Sequence, residues 1–244
     1  KKSQRSLIGR SITRLDGPLK AAGAARYSYD IQRPGMLWAK LVASPYASAE
    51  IESIDLAPAQ AMPGVQAVWK DEELEEIEYA GQIVAAVAAV SEELAEDAAA
   101  RVVVKYKPLA HQVADNDPAL STGRPSSRES GNVEEAFAVA GLVRHTGEYG
   151  LPVVTHCCLE AHGQVTEFRD GDLYVWPSTQ NVSRYADGLA QGAGVAQNRI
   201  HVDCQHMGGG FGSKFAHDKW GVIGAQLAKQ SGKPVKLLLE RDLE

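Results

Sequence analysis

The sequence has three cysteines in 244 residues, at 157, 158 and 204. An odd, sparse set does not make a disulfide framework. Cys157 and Cys158 would point to opposite faces of a strand, which makes a poor metal clamp, so all three are expected to be free, buried thiols. No apolar run approaches the roughly 18 residues of a membrane helix; Ile83 to Val90 is about half that and is followed by acids. The basic stretch KKSQRSLIGRSITR at the start lacks the apolar centre of a signal peptide. Cationic excess is also missing. Lys and Arg number 25 against 31 Asp and Glu, a net charge of −6, so no nucleic-acid or membrane partner is expected. Neither the GxxxxGK[ST] spacing of a P-loop nor the GxGxxG spacing of a dinucleotide fold occurs. What remains is a folded composition, 44% hydrophobic and 23% charged, with a length that suits one large or two small domains.

The patterning predicts an α+β chain. Strands are expected at Met36–Val42, Glu50–Asp55 and Val65–Trp69, with a short helix at Leu56–Met62 that Pro63-Gly64 stops. The acidic run Asp71–Glu78 suggests a solvated loop or helix face. Gly81–Val90 is apolar throughout, as in a strand covered on both faces. Ser91 caps a helix reaching about Ala100, and β-branched Arg101–Tyr106 follows, so strand, helix and strand suggest one α/β unit. Residues 115–131 are polar and aperiodic, which places a linker at 123–132 between domains at 1–122 and 133–244. Beyond it, strands are expected at Gly141–Tyr149, Gln164–Phe168, Leu173–Trp176, Ile200–Cys204 and Val235–Leu239. Helices are expected at Asn181–Gly192 and Lys219–Gln230, the second closed by Gly232.

Three segments carry chemistry. Gly208–Phe215, GGGFGSKF, follows a strand and precedes a helix; consecutive glycines let several N–H groups turn towards an anion, although they also suit a plain tight turn. Ser178-Thr179-Gln180 ends another strand, and a glutamine offers both a donor and an acceptor. Thr155–Gly163, THCCLEAHG, holds His156, Glu160 and His162. Neither helix nor strand spacing puts all three on one face, so structural roles are expected and no metal site.

These pieces occur together with R-x-D-G-P-x-K-x-x-G-x-A-x-Y-x-x-D at Arg14–Asp30, SPYASAEIESIDLAPAQAMPGVQAV and GQIVAAVAAVSEELAEDAAARVVVKY. In that order, over nearly the whole chain, they resemble the molybdenum-binding large subunit of the xanthine dehydrogenase/aldehyde oxidase family. The resemblance implies an α/β hammerhead domain followed by the first part of a mixed α/β molybdopterin-binding domain. It implies hydroxylation of a small-molecule aldehyde or aromatic N-heterocycle with water as the oxygen source. The cofactor would be molybdenum–molybdopterin in its cytosine dinucleotide form. Partner subunits would carry [2Fe–2S] clusters and FAD.

By the same resemblance, Gln180 matches the family glutamine that hydrogen-bonds an oxo ligand of molybdenum, and Gly209, Gly210, Phe211 and Gly212 match the loop beside the metal. Phe215 stands where purine-oxidising members carry a glutamate, which disfavours a purine and makes it a substrate-pocket residue. The stretch between Val68 and Gly81 is shorter than in most members. The catalytic glutamate of the family lies beyond this sequence, Glu240 and Glu244 matching only a local structural segment. The chain would thus need the remaining part of the molybdenum subunit, an iron–sulfur subunit and a flavin subunit to turn over. A non-catalytic assembly module of the same fold, or an unrelated protein binding nucleotide phosphate at Gly208–Gly212, are the competing readings.

Overall fold

A computed structural model describes residues 6–113, 126–152 and 154–244. In chain order the elements are α1 (Gly17–Ala21), β1 (Leu37–Ala43), β2 (Ala49–Asp55), α2 (Ala57–Gln60), β3 (Val65–Lys70), β4 (Glu76–Ile77), β5 (Ile83–Ala89), α3 (Glu92–Ala99) and β6 (Val103–Pro108). They continue with α4 (Val133–Ala138), β7 (Gly163–Arg169), β8 (Asp172–Pro177), α5 (Val182–Ala193), β9 (Ile200–Val202), α6 (Asp218–Ser231) and β10 (Val235–Leu238). The described residues up to 109 and from 156 onward form one compact unit, and the described residues between them a second.

In the first unit a mixed seven-stranded sheet runs β3-β5-β1-β10-β7-β8-β9, and a three-stranded sheet runs β4-β2-β6. The larger sheet therefore takes strands from both sides of the expected linker at 123–132, whose residues 123–125 lie outside those described. β5 occupies the interior of this sheet, and its Ala-rich sequence explains how. Ala86 and Ala88 pack with Trp220, Ile223 and Leu227 of α6 and with Leu237 of β10. Val87 packs with Ala59 of α2 and Ala98 of α3. Small side chains let helices approach both faces, as the continuous apolar run suggests. Ser91 caps α3, its Oγ accepting from the Leu94 N–H at 3.2 Å.

Four expectations need correction. β5 and β6 flank α3 but belong to different sheets, and β6 is exposed on one face, so they do not make a single α/β unit. The acidic run is not simply solvated: Ile77 is buried in β4 with Ala49 and Val84, and Asp71 pairs with Lys219 on α6. Gly141–Tyr149 forms no strand; its residues are exposed and find no ladder partner among those described, and a strand exists only by pairing. Of the three cysteines only Cys158 is buried; Cys157 is exposed and Cys204 intermediate. In the second unit the described structure is chiefly α4, capped by Asn132 Oδ1 accepting from the Glu135 N–H at 3.1 Å.

Strand directions gather the functional loops. β8 and β9 are parallel, so the segments after Pro177 and after Val202 leave from one end of the sheet. β7 is antiparallel to β8, pairing Gln164 with Pro177, so the chain entering β7 arrives at that end too. β10 is antiparallel to β7, pairing Leu238 with Gly163, and adds residues 239–244. The opposite end closes with the hairpin turn Asp170-Gly171, both at positive φ.

Candidate functional site

Three of the sequence motifs meet at this end of the sheet. The Gln180 N–H donates to the Lys214 carbonyl at 2.8 Å, and Gln180 Oε1 accepts from the N–H of Gly212 at 2.9 Å and of Lys214 at 3.3 Å. Two converging donors fix which end of the carboxamide is oxygen. Nε2 consequently points away from them and makes no hydrogen bond among the described residues. Gly210 is buried directly against this side chain; a Cβ there would sit 2.5 Å from Gln180 Cδ, so only glycine allows the approach.

The glycine loop adds further donors. Gly209 has φ 111°, Phe211 φ 51° and Gly212 φ 110°, a run of positive values that turns the backbone out of any regular ladder. The N–H groups of Gly209, Gly210 and Phe211 have no partner among the described residues. The Phe211 and Phe215 side chains stand out from the loop, 74% and 56% exposed. Asn181 Nδ2 donates to the Phe215 carbonyl at 3.3 Å, tying the far end of the loop to the start of α5.

Under the loop lies a polar layer that the motifs alone do not single out. Glu160 Oε1 accepts from the Ser28 N–H at 2.9 Å, and Oε2 accepts from Ser178 Oγ at 2.8 Å and the Gly208 N–H at 2.6 Å. Lys214, only 1% exposed, donates from Nζ to the Glu160 carbonyl at 2.6 Å and to Ser178 Oγ at 2.7 Å. Burial pushes the Lys214 ammonium below its ordinary pKa, and burial likewise pushes the Cys204 thiol up. The chance of finding Lys214 from sequence lay in its place inside GGGFGSKF, but a lysine there reads as exposed.

The His and Glu residues of the 155–163 motif do not converge on a common point. Glu160 is spent on the loops. His162 has Nδ1 3.0 Å from Glu244 Oε1 and Nε2 3.1 Å from Ser213 Oγ, bracing the loop from its other side. His156 is exposed near Gly212, where a Cβ would lie 3.7 Å from its Nε2. Arg241 completes the layer, donating to the Cys158 carbonyl at 2.7 Å and pairing with Glu244. The assembly is thus a hydrogen-bonded polar layer beside a loop that has unpartnered N–H groups and two exposed aromatic rings.

Residues 116–244 match the family model of the molybdopterin cofactor-binding domain, and residues 22–76 match that of the aldehyde oxidase and xanthine dehydrogenase a/b hammerhead domain. The chain is 32% identical to a probable xanthine dehydrogenase subunit of Bacillus subtilis, over 93% of this chain and 34% of that protein. It is 28% identical to the aldehyde oxidoreductase molybdenum-binding subunit PaoC of Escherichia coli, over 98% of this chain and 35% of that protein. Its fold superimposes on quinoline 2-oxidoreductase from Pseudomonas putida with a TM-score of 0.82 at 27% identity, covering 97% of this chain and 35% of the other. The chain spans about a third of the length of these relatives.

Proposed function

The chain belongs to the xanthine dehydrogenase/aldehyde oxidase family, and on that premise we propose that its glycine loop and Gln180 form one wall of the site that holds a molybdenum–molybdopterin cofactor. The observation that carries this reading is the set of unused donors: Gln180 Nε2 and the N–H groups of Gly209, Gly210 and Phe211. Donors without partners suit an anionic, oxygen-rich group, and the missing Cβ at Gly210 lets the Gln180 side chain lie directly against the loop that carries the other donors. When bound, the cofactor supplies the redox chemistry for hydroxylating a substrate with water as the oxygen source.

The residues of this chain do the positioning. Gln180 donates from Nε2, because Oε1 is already held by Gly212 and Lys214. Gly209, Gly210 and Gly212 let the backbone come close, and the exposed rings of Phe211 and Phe215 offer apolar surface for a substrate to cover. An apolar ring at Phe215 favours an aldehyde or an aromatic N-heterocycle over a purine, whose polar edge it cannot pair.

In this reading the division into a hammerhead domain at 1–122 and the beginning of the molybdopterin-binding domain at 133–244 is kept. No residue of the 244 acts as the catalytic base; that glutamate belongs to the remaining part of the molybdenum subunit. The pterin is the cytosine dinucleotide form, and an iron–sulfur subunit with [2Fe–2S] and a flavin subunit with FAD take up the electrons. Gln180→Ala in the complete enzyme tests the assignment. Turnover is expected to fall by about 10²-fold, the usual consequence of losing one oriented donor, with the melting temperature nearly unchanged. Turnover equal to wild type would remove Gln180 from the site.

A further inference from the structure

Lys214 poses a question that packing does not answer. A buried ammonium costs stability unless hydrogen bonds compensate it, and an apolar side chain of similar length would fill the same space. Its contacts show what the charge achieves. Nζ donates to Ser178 Oγ at 2.7 Å, and Ser178 Oγ in turn donates to Glu160 Oε2 at 2.8 Å. The lysine has protons to give and the carboxylate only accepts, so the direction of both bonds is fixed. The same ammonium holds the Glu160 carbonyl at 2.6 Å. Glu160 then reaches Ser28 with one oxygen and Gly208 with the other.

The main chain of Lys214 grips the other end of the same tripeptide. Its carbonyl accepts from the Gln180 N–H at 2.8 Å and from Thr179 Oγ1 at 3.1 Å, and its N–H donates to Gln180 Oε1 at 3.3 Å. Ser178-Thr179-Gln180 is therefore held at its first residue by a side-chain relay and at its last by the backbone of the residue that supplies the relay. We propose that Lys214, Ser178 and Glu160 form a positioning relay that sets the direction in which Gln180 presents Nε2. They touch neither cofactor nor substrate. The proposal rests on the cofactor reading given above, and it assigns the buried charge a role in orientation.

The test uses the complete, cofactor-loaded enzyme with its partner subunits, in five forms: wild type, Gln180→Ala, Lys214→Met, Ser178→Ala and the Gln180→Ala/Lys214→Met double variant. Molybdenum content, melting temperature, the molybdenum EPR signal and the separate kcat and KM values are measured for each. Misplacing a positioning group by about 1 Å can cost on the order of 10²-fold in rate, so Lys214→Met is expected to lower kcat by about tenfold or more with KM little changed. Its EPR signal, per bound molybdenum, should move in the same sense as that of Gln180→Ala. Adding Lys214→Met to Gln180→Ala should lower kcat little further, because both act on one donor.

If Lys214→Met fails to accumulate, Ser178→Ala removes only the middle of the relay and carries the same expectation. A wild-type signal and kcat per molybdenum in both relay variants, beside an altered Gln180→Ala, would overturn the relay alone, leaving Lys214 a structural residue. An unaltered Gln180→Ala would overturn the cofactor reading, and the relay with it.

Discussion

The middle of the seven-stranded sheet and its loop-bearing end bury their residues by opposite means. Around β5, β10 and α6 the buried set is mostly aliphatic, with Ala86, Ala88, Ile223, Leu227, Val235 and Leu237, and its polar exceptions are Trp220 and Lys236, whose ammonium donates to the Tyr29 carbonyl. Volume decides stability there, because any gap forfeits contacts on every side. At the loop end the buried set includes Lys214, Ser178 and Thr179, and partner count decides. The lesson is that a wall able to offer donors outward first has to satisfy its own donors inward. Glu160 with three accepted hydrogen bonds and Lys214 with its oxygen partners free the N–H groups of Gly209, Gly210 and Phe211 from structural use.

The contrast can be broken by substitutions on either side of it. The largest effect is expected in the sheet: Leu237→Ala, at a fully buried position, should cost about 2–5 kcal/mol in a denaturant titration. A loss below about 1 kcal/mol would mean that the core relaxes freely and that volume is not what it depends on. Gly210→Ala sharpens the other side. The new Cβ would meet Gln180 Cδ at 2.5 Å and Cγ at 2.6 Å, so the carboxamide must swing away. About a tenfold fall in kcat/KM is expected, with the melting temperature shifted by only a few degrees; unchanged kinetics would show that the carboxamide's place does not matter.

The smallest effect concerns the tie between the sheet and α6. Burial pushes the Asp71 carboxyl up, but the Lys219 ammonium and the N–H groups of Glu73 and Leu74 outweigh it and hold it below the usual carboxylate range. A carboxyl lowered in the folded state contributes stability above its unfolded pKa of about 3.9 and loses it as pH falls through the folded value. Wild type should therefore exceed Asp71→Asn in stability at about pH 6, and the gap should narrow as pH falls through and below the ordinary carboxylate range. A gap that stays constant across this range would show that Asp71 acts by packing and not by charge.

Much of the secondary structure was legible because its causes are local. Ser91 before two glutamates, Gly232 after an apolar period and Asp170-Gly171 between two alternating runs each signal an element boundary within a few residues. The exceptions depend on distant partners. Gly141–Tyr149 has a strand's composition and no ladder, while Ile77 is buried in a run whose charges suggest full solvation. Among the candidate site residues, Gln180 and the glycine loop stood out by sequence, and the structure brings them together. Glu160 was named with a structural role expected, which its hydrogen bonds bear out, whereas Lys214 did not stand out, because burial of a charge depends on which oxygens and N–H groups the fold delivers to it.

The amino-acid order by itself settled the α+β character of the chain, most of its element boundaries and its family, since these follow from periodicity, capping and short motifs that persist whatever surrounds them. Only the tertiary structure decided that strands from both halves share one sheet and that its parallel pair β8–β9 turns two distant loops towards each other. It also decided that a lysine and a glutamate would be spent beneath them. Strand pairing and the satisfaction of buried charge are settled between residues far apart in the chain, and no local pattern encodes them.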